Sequence, residues 1–280
     1  MRMAWMGLLC LLAMGVAWSA ETPAAQQIEA SLDVSGSLAV DDTGKVTSHT
    51  IDHPEQLSPG VVELVAKTIP TLHFKPVLRE GQPRAVEATM SLVLVANHVD
   101  AQNVAIRIKS ARFTESEPAA SDRVSIHKRS EVFFPREAIW ERLTGTVYVA
   151  VRINRRGRVI DAQAQQVNLR KVGSEEVMRH WRQVLTGQTL ASIRKFTFNI
   201  PTTGPHADDA EFTGMLPVIF QFVGESSKKY GKWESYVPGP RQPIAWYGDE
   251  DDTRSSEAVP PGTFAQAGTA LTLLTPLGDG

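Results

Sequence analysis

One local pattern occurs twice in this chain: an alternating apolar run, a tight turn of the form Asp/Asn-x-x-Gly-Lys/Arg-Val, an amphipathic helix, an aromatic-and-proline segment, and a further alternating run. The first copy extends roughly from Ser31 to Val95 and the second from Phe134 to Val223. Repetition of one short mixed unit predicts an α+β chain of two modules, each a small antiparallel sheet with helices packed on one face.

In the first copy Leu32, Val34, Leu38 and Val40 share one strand face, which places that face on a core. Asp41-Asp42-Thr43-Gly44 then turns the chain and Val46 resumes it, with Gly44 suited to a positive φ. Ser58-Pro59 supplies an N-cap and a first-turn proline, Val61, Val62, Val65 and Ile69 recur at helical spacing, and Pro70 ends the helix. Phe74-Lys75-Pro76 leads to a last strand with Val86, Ala88, Met90, Leu92 and Leu94 on one face.

The second copy opens at Phe134-Pro135 with a short helix whose apolar positions are Ile139, Trp140 and Leu143, and Val147, Val149, Val151 and Ile153 then form a strand face. Asn154-Arg155-Arg156-Gly157 is the counterpart of Asp41 to Gly44. Ser174 caps a helix with Glu175 and Glu176 in its first turn, where anions suit the helix dipole. Val177, Met178, Trp181, Val184 and Leu185 make its apolar stripe, and a closing strand carries Leu216, Val218, Phe220 and Phe222 on one face.

These residues resemble the C-terminal domain of TonB, the periplasmic end of the energy transducer for outer-membrane receptors. The resemblance rests on Phe134-Pro135-Arg136-Glu137-Ala138, Gly145-Thr146-Val147-Tyr148-Val149, Asn154 to Val159 and Phe198-Asn199-Ile200-Pro201. The first copy is a weaker match, through Val40 to Val46, its helix and Phe74-Lys75-Pro76. It implies modules at 29–113 and 131–224, joined by a linker at 114–130. It also implies that Phe134, Pro135 and the closing strand through Val218, Phe220 and Phe222 meet a partner's extended peptide. A true transducer has an uncleaved anchor and a long Pro-rich spacer; here no such spacer separates Ala20 from the first module.

Residues 1–20 carry one positive charge at Arg2, an apolar run from Ala4 to Trp18, and Ser19-Ala20 before Glu21, the organisation of a secretory signal peptide. Cleavage after Ala17 or Ser19 and an uncleaved inner-membrane anchor are the alternatives, although the run is short of the usual span of about 20 residues. The only cysteine, Cys10, falls in that segment, so the exported protein would hold neither a disulfide nor a thiolate nucleophile. A formal net charge of -2 gives no overall basic field for nucleic acid.

Val104, Ile106 and Ile108 suggest one further strand that belongs to the first module or bridges the two, Thr114 to Ser121 is linker-like, and residues 225–280 turn to Gly, Pro, Ser and acids, with 239–262 reading as irregular and Trp233, Tyr236, Trp246 and Tyr247 available either to dock on the second module or to bind a partner. Catalytic signals are weak. No G-x-S-x-G elbow is present, Ser226-x-x-Lys229 lacks its companion motifs, and His49 and His53 lie beside a strand and Pro54, too far apart to share a metal. His73 and His180 read as an edge residue and a solvent-facing residue. The densest charge run comprises Arg152, Arg155, Arg156, Arg158, Arg170, Lys171, Arg179, Arg182 and Arg194; it is either a solvated face or an anion-facing patch.

The expectation is therefore a non-enzymatic periplasmic protein without a cofactor or metal. It would bind a protein partner, an outer-membrane receptor or another envelope protein, through a sheet edge. The alternatives are a divergent membrane-anchored transducer, an enzyme of undetermined type, and a structural envelope protein or homodimer.

Overall fold

The computed structural model describes residues 28–98, 104–116, 120–222, 224, 230–247 and 255–277; the signal-like segment at 1–20 lies outside them. In chain order the first half contains β1 (Glu29–Val40), β2 (Val46–Ile51), α1 (Pro59–Thr68), β3 (Val77–Arg79), β4 (Gln82–Arg84), β5 (Val86–His98) and β6 (Val104–Glu115). The second holds β7 (Ser125–Lys128), α2 (Arg136–Trp140), β8 (Gly145–Asn154), β9 (Val159–Leu169), α3 (Glu175–Ile193), β10 (Thr197–Asn199) and β11 (Glu211–Phe220). Beyond it come β12 (Glu234–Tyr236), a 3-10 turn at Ser255–Ala258, and β13 (Ala265–Gln266). The architecture is mixed α+β with antiparallel ladders.

The larger sheet runs β12-β1-β5-β6, and β2 also pairs with β1. β1 is long enough for both: Glu29 to Ser31 meet β12, and Gly36 to Val40 meet β2. On its core face Leu32, Val34, Leu38, Ala88, Met90, Leu92 and Leu94 pack with Val61, Val65 and Ile69 of the α1 segment and with Phe74. The second main sheet runs β13-β11-β8-β9, and its core joins Val147, Val149, Val151 and Ile153 to Met178, Trp181 and Leu185 of α3.

The repeated turn has the same hydrogen-bond set in both halves. Asp41 Oδ1 accepts from the backbone N–H groups of Thr43 and Lys45 at 2.9 and 3.0 Å. Asn154 Oδ1 accepts from those of Arg156 and Arg158 at 2.9 and 3.1 Å. Gly44 and Gly157 both have positive φ, 92° and 69°. Each offers its carbonyl to a phenylalanine N–H, Phe74 at 2.8 Å and Phe198 at 2.9 Å.

Local packing departs from the periodicity in two places. α2 is short and turns Ala138 and the following Leu143 inward, so Ile139 and Trp140 stand 50% and 86% exposed instead of serving as core positions. The α3 stripe turns towards Thr189, Ser192 and Ile193, which leaves Val177 on the surface. Ser174 caps α3 at Val177 N, whereas the Ser58 hydroxyl makes no cap to α1.

The helix-free faces of the two sheets look at each other across a cavity of about 250 Å³, lined on one side by Asp33, Ser91 and Val93 and on the other by Tyr148, Pro217 and Ile219. The chain beyond β11 fills and ties this junction. Trp233 and Tyr230 pack on the first core, while Ile244, Trp246, Tyr247 and Val259 cover Tyr148, Ala150 and Met215 on the helix-free face of the second sheet. Its described parts are thus pinned to both sheets, although composition alone reads them as irregular. Within the linker-like stretch 114–130, β7 pairs with β10.

Candidate functional site

β11 forms because Phe212, Leu216 and Phe220 alternate into the second core, and it pairs with β8 without a register shift from Glu211↔Asn154 to Phe220↔Gly145. In an antiparallel ladder the N–H and C=O of one residue point to the same side and successive residues alternate. Thr213 O accepts from Ala267 N at 2.9 Å and Pro217 O from Gly262 N at 3.1 Å, so the odd-numbered residues face away from β8. β13 occupies that side at Gly214 and Met215. Pro217 lacks an N–H and falls on this outward set, as a proline in an edge strand must. Ile219 is the next outward residue, and among the described residues nothing pairs with its backbone on that side.

The sequence-derived contact residues gather at this end of β11. Phe134 packs edge-on to Phe220, centroids 5.3 Å apart, and stacks on Phe222 at 4.8 Å. Arg142 lies 5.1 Å over the Phe222 ring. Pro135 stands at the N-cap of α2. Phe220 is fully buried, Val218 and Phe134 are partly buried against the same core, and Phe222 is half-buried. The cluster therefore closes the open end of the second core, with Phe134 and Phe222 forming its outer layer.

The other edges are also engaged by the C-terminal segment. β12 lies on β1; Leu169 of β9 exchanges hydrogen bonds with Val237 at 3.0 and 2.7 Å, and Gln165 O accepts from Gln242 N at 2.7 Å. Thr114 of β6 bridges to Ala270, and Phe74 bridges to Leu273. The edges are thus only partly bare: the C-terminal segment of the same chain pairs with short stretches of β1, β6, β9 and β11. Pro217 was the one local sign that β11 lies at an edge; the pairings themselves join distant residues and leave no periodic signal.

Polar side chains fasten this segment to both sheets. Glu257, whose side chain is 3% exposed, accepts from Asn168 Nδ2 at 2.7 Å and pairs with Lys109 at 3.2 Å. Lys109 also donates to Glu29 at 2.6 Å and to the Tyr236 hydroxyl at 2.7 Å, and Tyr236 donates to Glu29 at 2.5 Å. Burial would raise the Glu29 carboxyl, but the hydrogen bonds from Lys109 and Tyr236 and the Lys109 charge outweigh it and hold the group below its ordinary value. Burial, with the Glu257 charge second, pushes both the Tyr148 and Tyr236 phenols well up. Each of these groups already has a structural partner, and together they form a clamp.

The long basic run is largely dispersed. Arg152 pairs with Asp161 and Glu211, Arg170 with Glu234, and Lys171 with Glu141. Arg155 donates to the carbonyls of Ala207 and Asp209, and Arg182 to those of Val167 and Pro238. Among the described residues no cluster of His, Cys, Asp and Glu is arranged to hold a metal ion; His53 contacts Glu55 at 3.3 Å and His180 contacts Glu137 at 2.5 Å. No helix among the described residues is long and apolar enough to cross a membrane. The sequence matches no family model, no curated protein and no solved structure.

Proposed function

We propose that this is a non-catalytic binding protein of the cell envelope, built from two modules of TonB C-terminal type and exported to the periplasm. It holds an extended segment of a protein partner along β11 from Ile219 onward, beside Phe134, Pro135 and Phe222. The observation that carries this reading is that β11 already takes an added antiparallel strand, β13, and leaves the next outward backbone pair, at Ile219, open. Main-chain pairing of this kind supplies affinity without catalytic groups, and neighbouring side chains supply selectivity. The Phe134–Phe222 stack would provide the apolar contact for such a segment.

Ile219→Pro tests the edge directly. It removes the outward N–H while the bonds of Val218 and Phe220 to β8 remain, and Pro217 already shows that proline fits this side of the strand. Proline at Val218 or Phe220 would instead delete donors to β8 and damage the sheet. The expected result is an unchanged melting curve with loss of the crosslinked partners that the wild-type protein captures in envelope fractions. An identical partner set from the folded variant would refute the edge as the binding place.

A further inference from the structure

Two of the basic residues left over after the pairing described above, Arg156 and Arg158, meet three further basic groups at one place. Arg156 and Arg158 of the β8–β9 turn, His127 and Lys128 of β7, and Lys195 beyond α3 line an open pocket of about 490 Å³, with Thr197 on its wall. These residues come from separate stretches that β7–β10 pairing and the Arg158–Thr197 bridge bring together. The lining contains no carboxylate, and among the described residues none of the five basic side chains has an acidic partner. That separates this place from Arg152, Arg170 and Lys171 of the run, which are each neutralised.

A second observation lies in the same wall. The Thr197 hydroxyl is buried and has no hydrogen-bond partner, an arrangement that folded proteins seldom leave without a reason. The corresponding place in the first half is built on the same turn but filled differently. There Thr43 and Lys45 stand where Arg156 and Arg158 do, and Phe74 bridges to Leu273, followed by Leu274, where Phe198 meets Ile126, followed by His127 and Lys128. The shared backbone device therefore does not require the cations.

We propose that this pocket binds an anion carrying more than one phosphate group, either free or as a lipid headgroup. Guanidinium forks match phosphate oxygens in pairs, and an ammonium adds a compact charge. The pocket is wide enough for more than a single phosphate, and five basic side chains around it favour a multiply charged ligand. The chain has a net charge of only -2, so the attraction is local and weakens with salt.

The test uses the exported-length protein with two probes, inorganic pyrophosphate followed by calorimetry, and vesicles of cardiolipin, whose headgroup carries two phosphates, in phosphatidylcholine followed by cosedimentation. The variant is Arg156→Glu/Lys195→Glu, at two exposed positions, with Lys45→Glu as the matched change in the first half. Wild type and Lys45→Glu should bind at least one probe saturably, and the double variant about tenfold or more weakly, because each lost charged hydrogen bond carries roughly that factor. Binding of pyrophosphate identifies a free phosphate ligand, and binding of vesicles alone identifies a headgroup. Failure of the wild type to bind either probe, or equal binding by the double variant with an unchanged melting curve, overturns the proposal.

Discussion

Glu257 is the side chain through which the C-terminal segment grips both sheets, and replacing it gives a quantitative test of the clamp. In Glu257→Ala, Asn168 Nδ2 loses its acceptor at 2.7 Å and Lys109 loses one of its two carboxylates. A buried hydrogen bond to a charged group contributes about 1.5–3 kcal/mol. Stripping a buried ion of its only partner costs about 3–5 kcal/mol, but Lys109 keeps Glu29 at 2.6 Å and Tyr236 at 2.7 Å, so that larger penalty does not apply. The expected loss is therefore about 2–3 kcal/mol for Ala, the upper part of the range for a buried hydrogen bond to a charged group. Glu257→Gln retains an acceptor for Asn168 and loses the ion pairs with Lys109 at 3.2 Å and Arg241 at 3.9 Å, for about 1 kcal/mol, the difference between a charged and a neutral hydrogen bond. Urea unfolding measures both, and hydrogen exchange at Val237 N–H, which bonds Leu169 O at 2.7 Å, should accelerate if the segment loosens. An alanine variant within about 0.5 kcal/mol of wild type, the scatter of neutral surface changes, would refute the clamp, as would equal losses for Ala and Gln.

The glycines of the two turns should respond alike and opposite to a helical one. A Cβ at Gly44 or Gly157 would lie 1.9 or 2.0 Å from the carbonyl oxygen of Phe74 or Phe198, at positive φ, so alanine at either should lower stability by more than the roughly 1–2 kcal/mol of left-handed strain alone. Gly187→Ala in α3 meets open space and should raise it by about 1 kcal/mol; thermal melts of the three variants decide the matter. The junction should also be sensitive to pH at both ends. Glu29 is held below its ordinary 4.5, so the unfolded chain binds its proton first on acidification: the contribution of this group is complete above that pH and is lost as the pH falls through the lowered folded value. Tyr148 and Tyr236 are raised from 10.0; their contribution is complete below pH 10 and declines above it, because the unfolded phenols ionise first. Denaturation across pH, with Glu29→Gln flattening the acid limb and phenolate absorbance showing these tyrosines silent until unfolding, checks both signs.

The repeated turn was legible because its determinants are local: one Asx side chain, a glycine at positive φ and alternating neighbours suffice for each copy. The strand faces of β1, β5 and β8 were legible for the same reason. Val93 and Val95 were not, because they are buried on the face of β5 opposite its periodic set, at a junction between sheets that no window of sequence contains. At the candidate edge the aromatic end could be read from the resemblance, whereas its open stretch depends on where β13 stops. Trp140 reads as core by residue type, yet a one-turn helix has room for few inward positions and gives them to Ala138 and the following Leu143. The charge run misleads in the same manner, since Arg152, Arg155, Arg170 and Arg182 find acids and carbonyls that are distant in sequence.

The return of the chain to its beginning has a consequence for the order of assembly. Tyr236 and Glu29 are 207 positions apart, and β1 gains β12 only after the second half has been made. A chain emerging N-terminus first, whether from a ribosome or through a translocon, thus exposes the start of β1 and the outer side of β6 for most of its synthesis or passage. Contacts of such sequence separation form slowly, and unpaired edges invite other strands in the interval. Completion of both sheets therefore reports that the C-terminus has arrived, and a chain cut short before Tyr236 would present open edges to whatever holds or degrades unfinished protein.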